Sequence, residues 1–271
     1  MAASNDRRAL PTFVIIGAQK CATRWLRMNL GKHPDIYTAR SELAFWNTEK
    51  RVERLGLDWY REQFDGSKGE RIVGEATPGY MIWRHHPARV AQRMKEMHPD
   101  VRLIALLRNP IDRAQSAMLH HMRRDRIPAG ARLLDVVREL RPPEHDWFCL
   151  VSGGWYAASL EPFVDRFGDR LLVLFQEDVS ADPTRPYEQA LRHVGADPGF
   201  VPKDLAHVVF SNQKGRVGKK SPLPVEDRDE LWEYFRDDVA RLEKILGVDL
   251  SRWEPKAQTQ TLEPAQTSEP A

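Results

Sequence analysis

Short apolar runs punctuate an otherwise polar chain. Residues 13–16 (FVII), 101–107 (VRLIALL) and 171–175 (LLVLF) are apolar almost without alternation, and 71–75 (RIVGE) is a weaker version of the same pattern. Such runs fit strands covered on both faces. Between them, apolar positions recur at helical spacing and predict helices over 23–32, 87–97, 111–121, 155–167, 186–194 and 226–246. The first of these stops before His33-Pro34, because the residue ahead of a proline disfavours helical geometry. Strands alternating with helices predict an α/β domain with a central, mainly parallel β-sheet flanked by helices on both faces. Sheets of this kind bind ligands beyond the carboxyl ends of their strands. Function is therefore expected in the loops after Ile16, Glu75, Leu107 and Phe175.

Length and composition narrow this picture. The 271 residues suffice for one core, expected over 12–254, with disordered ends at 1–11 and in the Gln-, Thr-, Glu- and Pro-rich stretch 255–271. With 41 basic and 39 acidic residues the net charge is +2, so no nucleic-acid partner is expected and any anion preference must come from local clusters. No internal repeat is present, and no apolar run is long enough for a secretory signal or a membrane span. The two cysteines, Cys21 and Cys149, point to reduced thiols in a cytoplasmic setting, although one long-range disulfide stays open. Oligomeric state is not legible.

The loop after the first strand reads GAQKCATR. A glycine, a lysine and a threonine where a strand turns into a helix make an anion site, since unpaired backbone N–H groups and the helix dipole point at one spot. Gly17, Gln19, Lys20, Cys21, Ala22, Thr23 and Arg24 are its candidate residues. The triphosphate-binding loop, Gly-x-x-x-x-Gly-Lys-Ser/Thr, does not match: Lys20 stands three residues after Gly17, and no second glycine precedes Thr23. An ordinary strand–helix turn with a surface lysine would leave the same trace. The loop after Leu107 reads RNPIDRAQS. Arg108 at a strand end could grip a phosphate bidentately, Pro110 opens the next helix, and the Ser116 hydroxyl two turns on adds a donor. Alone, it could equally be a structural capping turn.

Taken together, the two loops match a known pattern. IIGAQKCATRWLRMNLGKHPDI resembles the 5′-phosphosulfate loop of sulfotransferases that use 3′-phosphoadenosine 5′-phosphosulfate (PAPS), and LLRNPIDRAQS resembles their 3′-phosphate loop. The resemblance extends to GLDWY, VGEATPGY and NQKGRVG, covering most of residues 12–253. It is strongest to the heparan-sulfate-type branch and its soluble bacterial relatives, and it implies a single P-loop-like domain. It also implies residue roles. Lys20 would neutralise the leaving 5′-phosphate, Thr23 and Arg24 would hold that phosphate, and Arg108 and Ser116 would hold the 3′-phosphate. Lys214, Gly215 and Arg216 would close over the cofactor, and Glu42, in RSELAFW, would be the base. The product would be adenosine 3′,5′-bisphosphate (PAP), and no metal is implied. A carboxylate beside several cations would ordinarily have its pKa lowered, making Glu42 a weaker base unless it is desolvated.

Departures from the pattern shape the expected acceptor. Ala44 stands where many relatives carry a histidine, Ala76 where some polysaccharide-acting members carry a lysine, and Cys21 and Ala22 replace glycines. A cysteine-bridged hairpin before the KGR loop is missing. These changes argue for a small-molecule or carbohydrate hydroxyl rather than a heparan-like polyanion, and Cys21 could make the site thiol-sensitive. The alternatives are a nucleotide-dependent kinase or a catalytically impaired nucleotide-binding relative. His85-His86 could face the acceptor or occupy a surface turn, so His85 competes with Glu42 as base. His120-His121 and Arg123-Arg124 read as an exposed helix end that complements the dipole. Trp46, Trp59, Tyr60, Tyr80 and Trp83 lie near the acceptor side and are expected mostly in the core.

Overall fold

The structure is a computed structural model that describes residues 10–207 and 222–255. Five strands, β1 (Phe13–Gly17), β2 (Ile36–Thr38), β3 (Ile72–Ala76), β4 (Arg102–Leu107) and β5 (Leu171–Phe175), form one sheet in the order β2-β3-β1-β4-β5. Every neighbouring pair is parallel. Two of the three apolar runs take the middle: β1 is buried at all five positions, and β4 at all but Arg102, whereas β5 forms an edge and is mostly half-buried. Chain order reverses around β1, which places the carboxyl ends of β1, β3 and β4 side by side, where such sheets open a ligand crevice.

Ten helices are seen among the described residues: α1 (Thr23–Leu30), α2 (Glu49–Glu62), α3 (Pro87–Met97), α4 (Pro110–Met122), α5 (Leu133–Leu140), α6 (Tyr156–Phe167), α7 (Gln176–Ala181), α8 (Thr184–Val194), α9 (Val225–Trp232) and α10 (Arg236–Leu246). Three of them, α2, α5 and α7, and the strand β2 are not among the predicted elements, although the leucines and valines of α5 recur at helical spacing. β2 is only three residues long, and Gly56 at φ 73° breaks the helical geometry inside α2. The helix expected over 226–246 is two. It breaks at residues 233–235, where Phe235 turns into the core and is fully buried.

Of the residues expected in disordered ends, 1–9 and 256–271 lie outside the described residues. Pro11 does not behave as a free end: it is buried, and its carbonyl lies 2.6 Å from His98 Nε2. Trp46, Tyr60 and Tyr80 are fully buried, with the Trp46 and Tyr60 rings packed edge-on at 5.3 Å, while Trp83 is 46% exposed. No helix among the described residues is long and apolar enough to cross a membrane.

Candidate active site

Residues 18–22 join the end of β1 to the start of α1. The Ala18 N–H donates to the Leu106 carbonyl at 2.8 Å, tying the loop to β4. A Cβ on Gly17 would come within 2.7 Å of Met81 Sδ, so only glycine lets the strand pass here. Lys20 and Ala22 both adopt left-handed conformations, φ 73° and 66°, each costing a non-glycine residue about 1–2 kcal/mol. Alternation of this kind turns successive N–H groups to one side and makes an anion-binding concavity. Ala22 caps α1 without a side-chain acceptor, and no acidic residue stands in the first turn. The helix start is thus left for an external anion.

The second loop forms the capping turn, one of its two expected readings. Asn109 caps α4, its side-chain oxygen accepting from the N–H groups of Ile111 at 3.0 Å and Asp112 at 3.3 Å. Its own N–H donates to Glu177 Oε1 at 2.7 Å, and its amide to the Trp253 carbonyl at 2.8 Å. That rigid turn presents Arg108, whose Nε is buried without a hydrogen-bond partner. A buried guanidinium N–H left over in this way fits an incoming oxyanion. Ser116 follows on α4, partly exposed.

Charge concentrates around Lys20. Its ammonium is pushed down to about 8, chiefly by burial and then by repulsion from Arg123, Arg113 and Arg108. His120 is pushed down to about 4 by burial, Lys20, Arg124, His121 and Arg123, and is therefore neutral near pH 7. The end of α4 is exposed at Arg123 and Arg124, as expected, but His120 is half-buried and His121 buried. Arg123 and Arg124 are exposed, yet their charges bear on Lys20 and on Glu42. Ser116 and His120, four residues apart, share a face of α4, and Arg123 and Arg124 follow directly beyond its end.

Beside the phosphate loop lies a cleft of about 210 Å³, lined by Thr23, Arg24, Arg27, Arg40, Ser41, Glu42, Ala76 and Pro78. It joins the start of α1, the loop after β2 and the end of β3. Glu42 is open to solvent at the mouth, but the walls withdraw enough water to raise its pKa above the usual glutamate value. Burial outweighs the opposing pull of Arg27 and Arg124. The expected lowering by neighbouring cations is thus reversed. Thr23 and Arg24 connect this cleft to Lys20 across the first turn of α1. His85 is lowered by burial, Arg84 and His86, and nothing ties it to Lys20 or Glu42. Lys214, Gly215 and Arg216 lie outside the described residues. Among the described residues no group of three or more His, Cys, Asp or Glu side chains could hold a metal ion.

Behind the loop, Cys21 is fully buried with its thiol 3.5 Å from the Tyr156 hydroxyl. Arg113 is also fully buried, and its Nη2 donates to the carbonyls of Cys149 and Leu150, both at 2.6 Å. Both cysteines are free.

A parallel sheet whose first strand runs into a strained strand–helix loop, with a second cationic strand end beside it, is a setting suited to an anionic ligand. The chain belongs to the sulfotransferase family: the family's sulfotransferase domain matches residues 10–241. It is 30% identical over 210 residues to the mouse (Mus musculus) heparan sulfate glucosamine 3-O-sulfotransferase 3B1, covering 77% of this chain and 51% of that protein. It is 26% identical over 280 residues to the mouse bifunctional heparan sulfate N-deacetylase/N-sulfotransferase 4, covering 90% of this chain and 31% of that one. The chain therefore spans about half the length, or less, of these curated relatives. Among solved structures, a sulfotransferase from Alicyclobacillus acidocaldarius superimposes with a TM-score of 0.75 at 31% identity, covering 90% of this chain and 99% of that one.

Proposed function

We propose that the protein transfers a sulfuryl group from PAPS to a hydroxyl of a small-molecule or carbohydrate acceptor. The observation that carries this reading is the setting of Lys20: a lysine in a strained phosphate loop, crowded by arginine charges, one helical turn from a carboxylate-bearing cleft. Two anion positions, the loop itself and the Arg108–Ser116 strand end, suit a nucleotide phosphorylated at both the 5′ and 3′ positions. The partnerless Nε of Arg108 supports the second. A triphosphate with magnesium would ask for a different loop.

When bound, PAPS supplies the activated sulfuryl group, whose bond to the 5′-phosphate breaks as the acceptor oxygen attacks in line. The protein's part is positioning and charge neutralisation. Lys20 offsets the charge that grows on the departing phosphate, and the N–H groups at the start of α1, with Thr23 and Arg24, hold it. Glu42 takes the acceptor's proton, and its raised pKa makes it a better base than an ordinary exposed carboxylate. Relatives named for glucosamine sulfation support a carbohydrate acceptor, while Ala44 and Ala76 weigh against a heparan-like polyanion. Two free, buried thiols support a cytoplasmic setting.

Calorimetry with PAP against ATP plus magnesium tests the cofactor. Tight PAP binding without metal is expected, and ATP binding with no response to PAP would sink the reading. Transfer of label from PAPS across a panel of sugars and phenols then tests the reaction.

A further inference from the structure

Glu75, near the end of β3, is a fully buried carboxylate. Burial raises this carboxyl above the usual glutamate value, and three hydroxyls that donate to it offset part of the cost of taking its charge from water. Tyr60 and Tyr80 each donate to Oε1 at 2.7 Å, and Thr77 donates to Oε2 at 2.7 Å. A hydroxyl has one proton to give. Having given theirs to Glu75, Thr77 and Tyr80 have lone pairs left for the segment that follows Glu42. Thr77 Oγ1 accepts from the Leu43 N–H at 3.1 Å and the Ala44 N–H at 3.2 Å, and Tyr80 Oη accepts from the Phe45 N–H at 3.1 Å. Three consecutive amides are held by two hydroxyls whose polarity one carboxylate sets. Within this stretch Ala44 sits at φ 51°, a strained conformation that lasts only where its surroundings over-determine it. On the other side, Arg51 Nη2 donates to the Leu43 carbonyl at 2.9 Å.

We propose that Glu75 is a positioning residue for the transfer site: acting through Thr77 and Tyr80, it fixes the backbone of residues 43–45 and so aims the Glu42 carboxylate into its cleft. The inference rests on the reading of Glu42 as base. Glu75 itself, with no exposed surface, touches no substrate. Polarity makes the claim sharp. A glutamine at position 75 has nearly the same shape but brings two donors. Whichever way its amide turns, Thr77 or the tyrosines must accept from it, and the chain of donors toward residues 43–45 is disturbed.

The test compares Thr77→Val, Thr77→Ser and Glu75→Gln with the wild-type protein. The readouts are amide exchange at residues 43–45, NMR titration of Glu42, PAP affinity, and PAP release from PAPS with water as acceptor. Thr77→Val and Glu75→Gln should speed exchange at residues 43–45 by about tenfold or more, by removing hydrogen bonds that protect these amides. They should move Glu42 back toward the ordinary glutamate value of about 4.3, with Arg27 and Arg124 still facing it. PAP release should slow on the order of 10²-fold, as expected for a misplaced group, while PAP affinity stays within about twofold, the scatter expected where no cofactor contact is lost. Thr77→Ser, which keeps the hydroxyl, should match wild type. Unchanged exchange and unchanged Glu42 titration in Thr77→Val would overturn the proposal, and so would a parallel loss of PAP affinity. Should Glu75→Gln not fold, the Thr77 pair carries the test. The two readings separate cleanly. Wild-type PAP release by Glu42→Gln removes Glu42 as base, whereas an inactive Glu42→Gln beside an unperturbed Thr77→Val removes only the positioning role. In a Glu42→Gln background, Thr77→Val should cost no further turnover.

Discussion

The Cys21 thiol lies 3.5 Å from the Tyr156 hydroxyl, on the sealed side of the phosphate loop. Burial pushes this thiol up to about 11, against the pull of Tyr156, Arg113 and Arg108. Reactivity belongs to the thiolate, so the substitution of cysteine for glycine in this loop does not sensitise the site. Cys149 is buried too, with its pKa likewise raised, mainly by burial. Native protein at pH 7.5 (a working condition, roughly one unit below a free thiol's pKa of about 8.5) should resist iodoacetamide, and both thiols should react once it is unfolded. Rapid labelling of Cys21 by mass spectrometry would contradict this.

Lys20 should give cofactor binding a distinctive pH dependence. In the free protein its charge is lost as pH rises through about 8, whereas an unperturbed lysine keeps it to about 10.4. An anion in the loop restores the proton. Calorimetry near pH 8 in buffers of different ionisation enthalpy should therefore show proton uptake on PAP binding, with affinity falling as pH rises further. Without ligand the sign for stability is opposite: between these pKa values the unfolded chain holds more protons, so this group's contribution to stability rises with pH. Lys20→Ala should slow turnover on the order of 10²–10³-fold, the loss expected for one transition-state donor.

Glu42→Gln should slow turnover by roughly 10²–10⁴-fold, the range for loss of a general base, with PAP affinity little changed. Because Glu42 titrates above its ordinary value, the acid limb of the wild-type rate profile should also lie above it, and should vanish in Glu42→Gln. His120, neutral near pH 7 and within reach of the Lys20 charge, is the control. A His120→Asn enzyme that loses the acid limb while Glu42→Gln retains it would transfer the role to the histidine.

Arg113 joins stability to the site. Arg113→Ala leaves the Cys149 and Leu150 carbonyls without their donor and opens a cavity, at a cost of about 3 kcal/mol. Arg113→Met fills most of that volume and removes two guanidinium nitrogens, Nε and Nη1, that are buried without partners. Urea unfolding should therefore find it the less damaging change. Both variants should raise the Lys20 pKa, because a repelling charge behind the loop is gone.

Much of this organisation was legible along the chain. The unalternated runs became β1 and β4, because strands covered on both faces must be apolar throughout, and β5, an edge strand that is mostly half-buried. The positions of Lys20 and Arg108 just beyond the ends of two parallel strands were legible too, since each follows an unalternated apolar run. Short or interrupted elements were not: β2 is three residues long, and α2 carries Gly56 within it. The end of α4 was legible at the exposed Arg123 and Arg124, but the burial of His121 was not, because only packing shows what a helix end faces.

The sequence by itself determined the α/β class, the parallel sheet and the two strand-to-helix loops after β1 and β4, because hydrophobic periodicity and local strand-to-helix chemistry are properties of neighbouring residues. The tertiary structure decided the protonation of the groups within them. Glu42 stands above its ordinary pKa rather than below it, Lys20 is pushed down to about 8, and Cys21 is inert. Glu75 is linked to residues 43–45, about 30 positions earlier in the chain, through hydroxyls 2 and 5 positions after it. Desolvation and charge coupling depend on distances through space, and those exist only once the chain has folded.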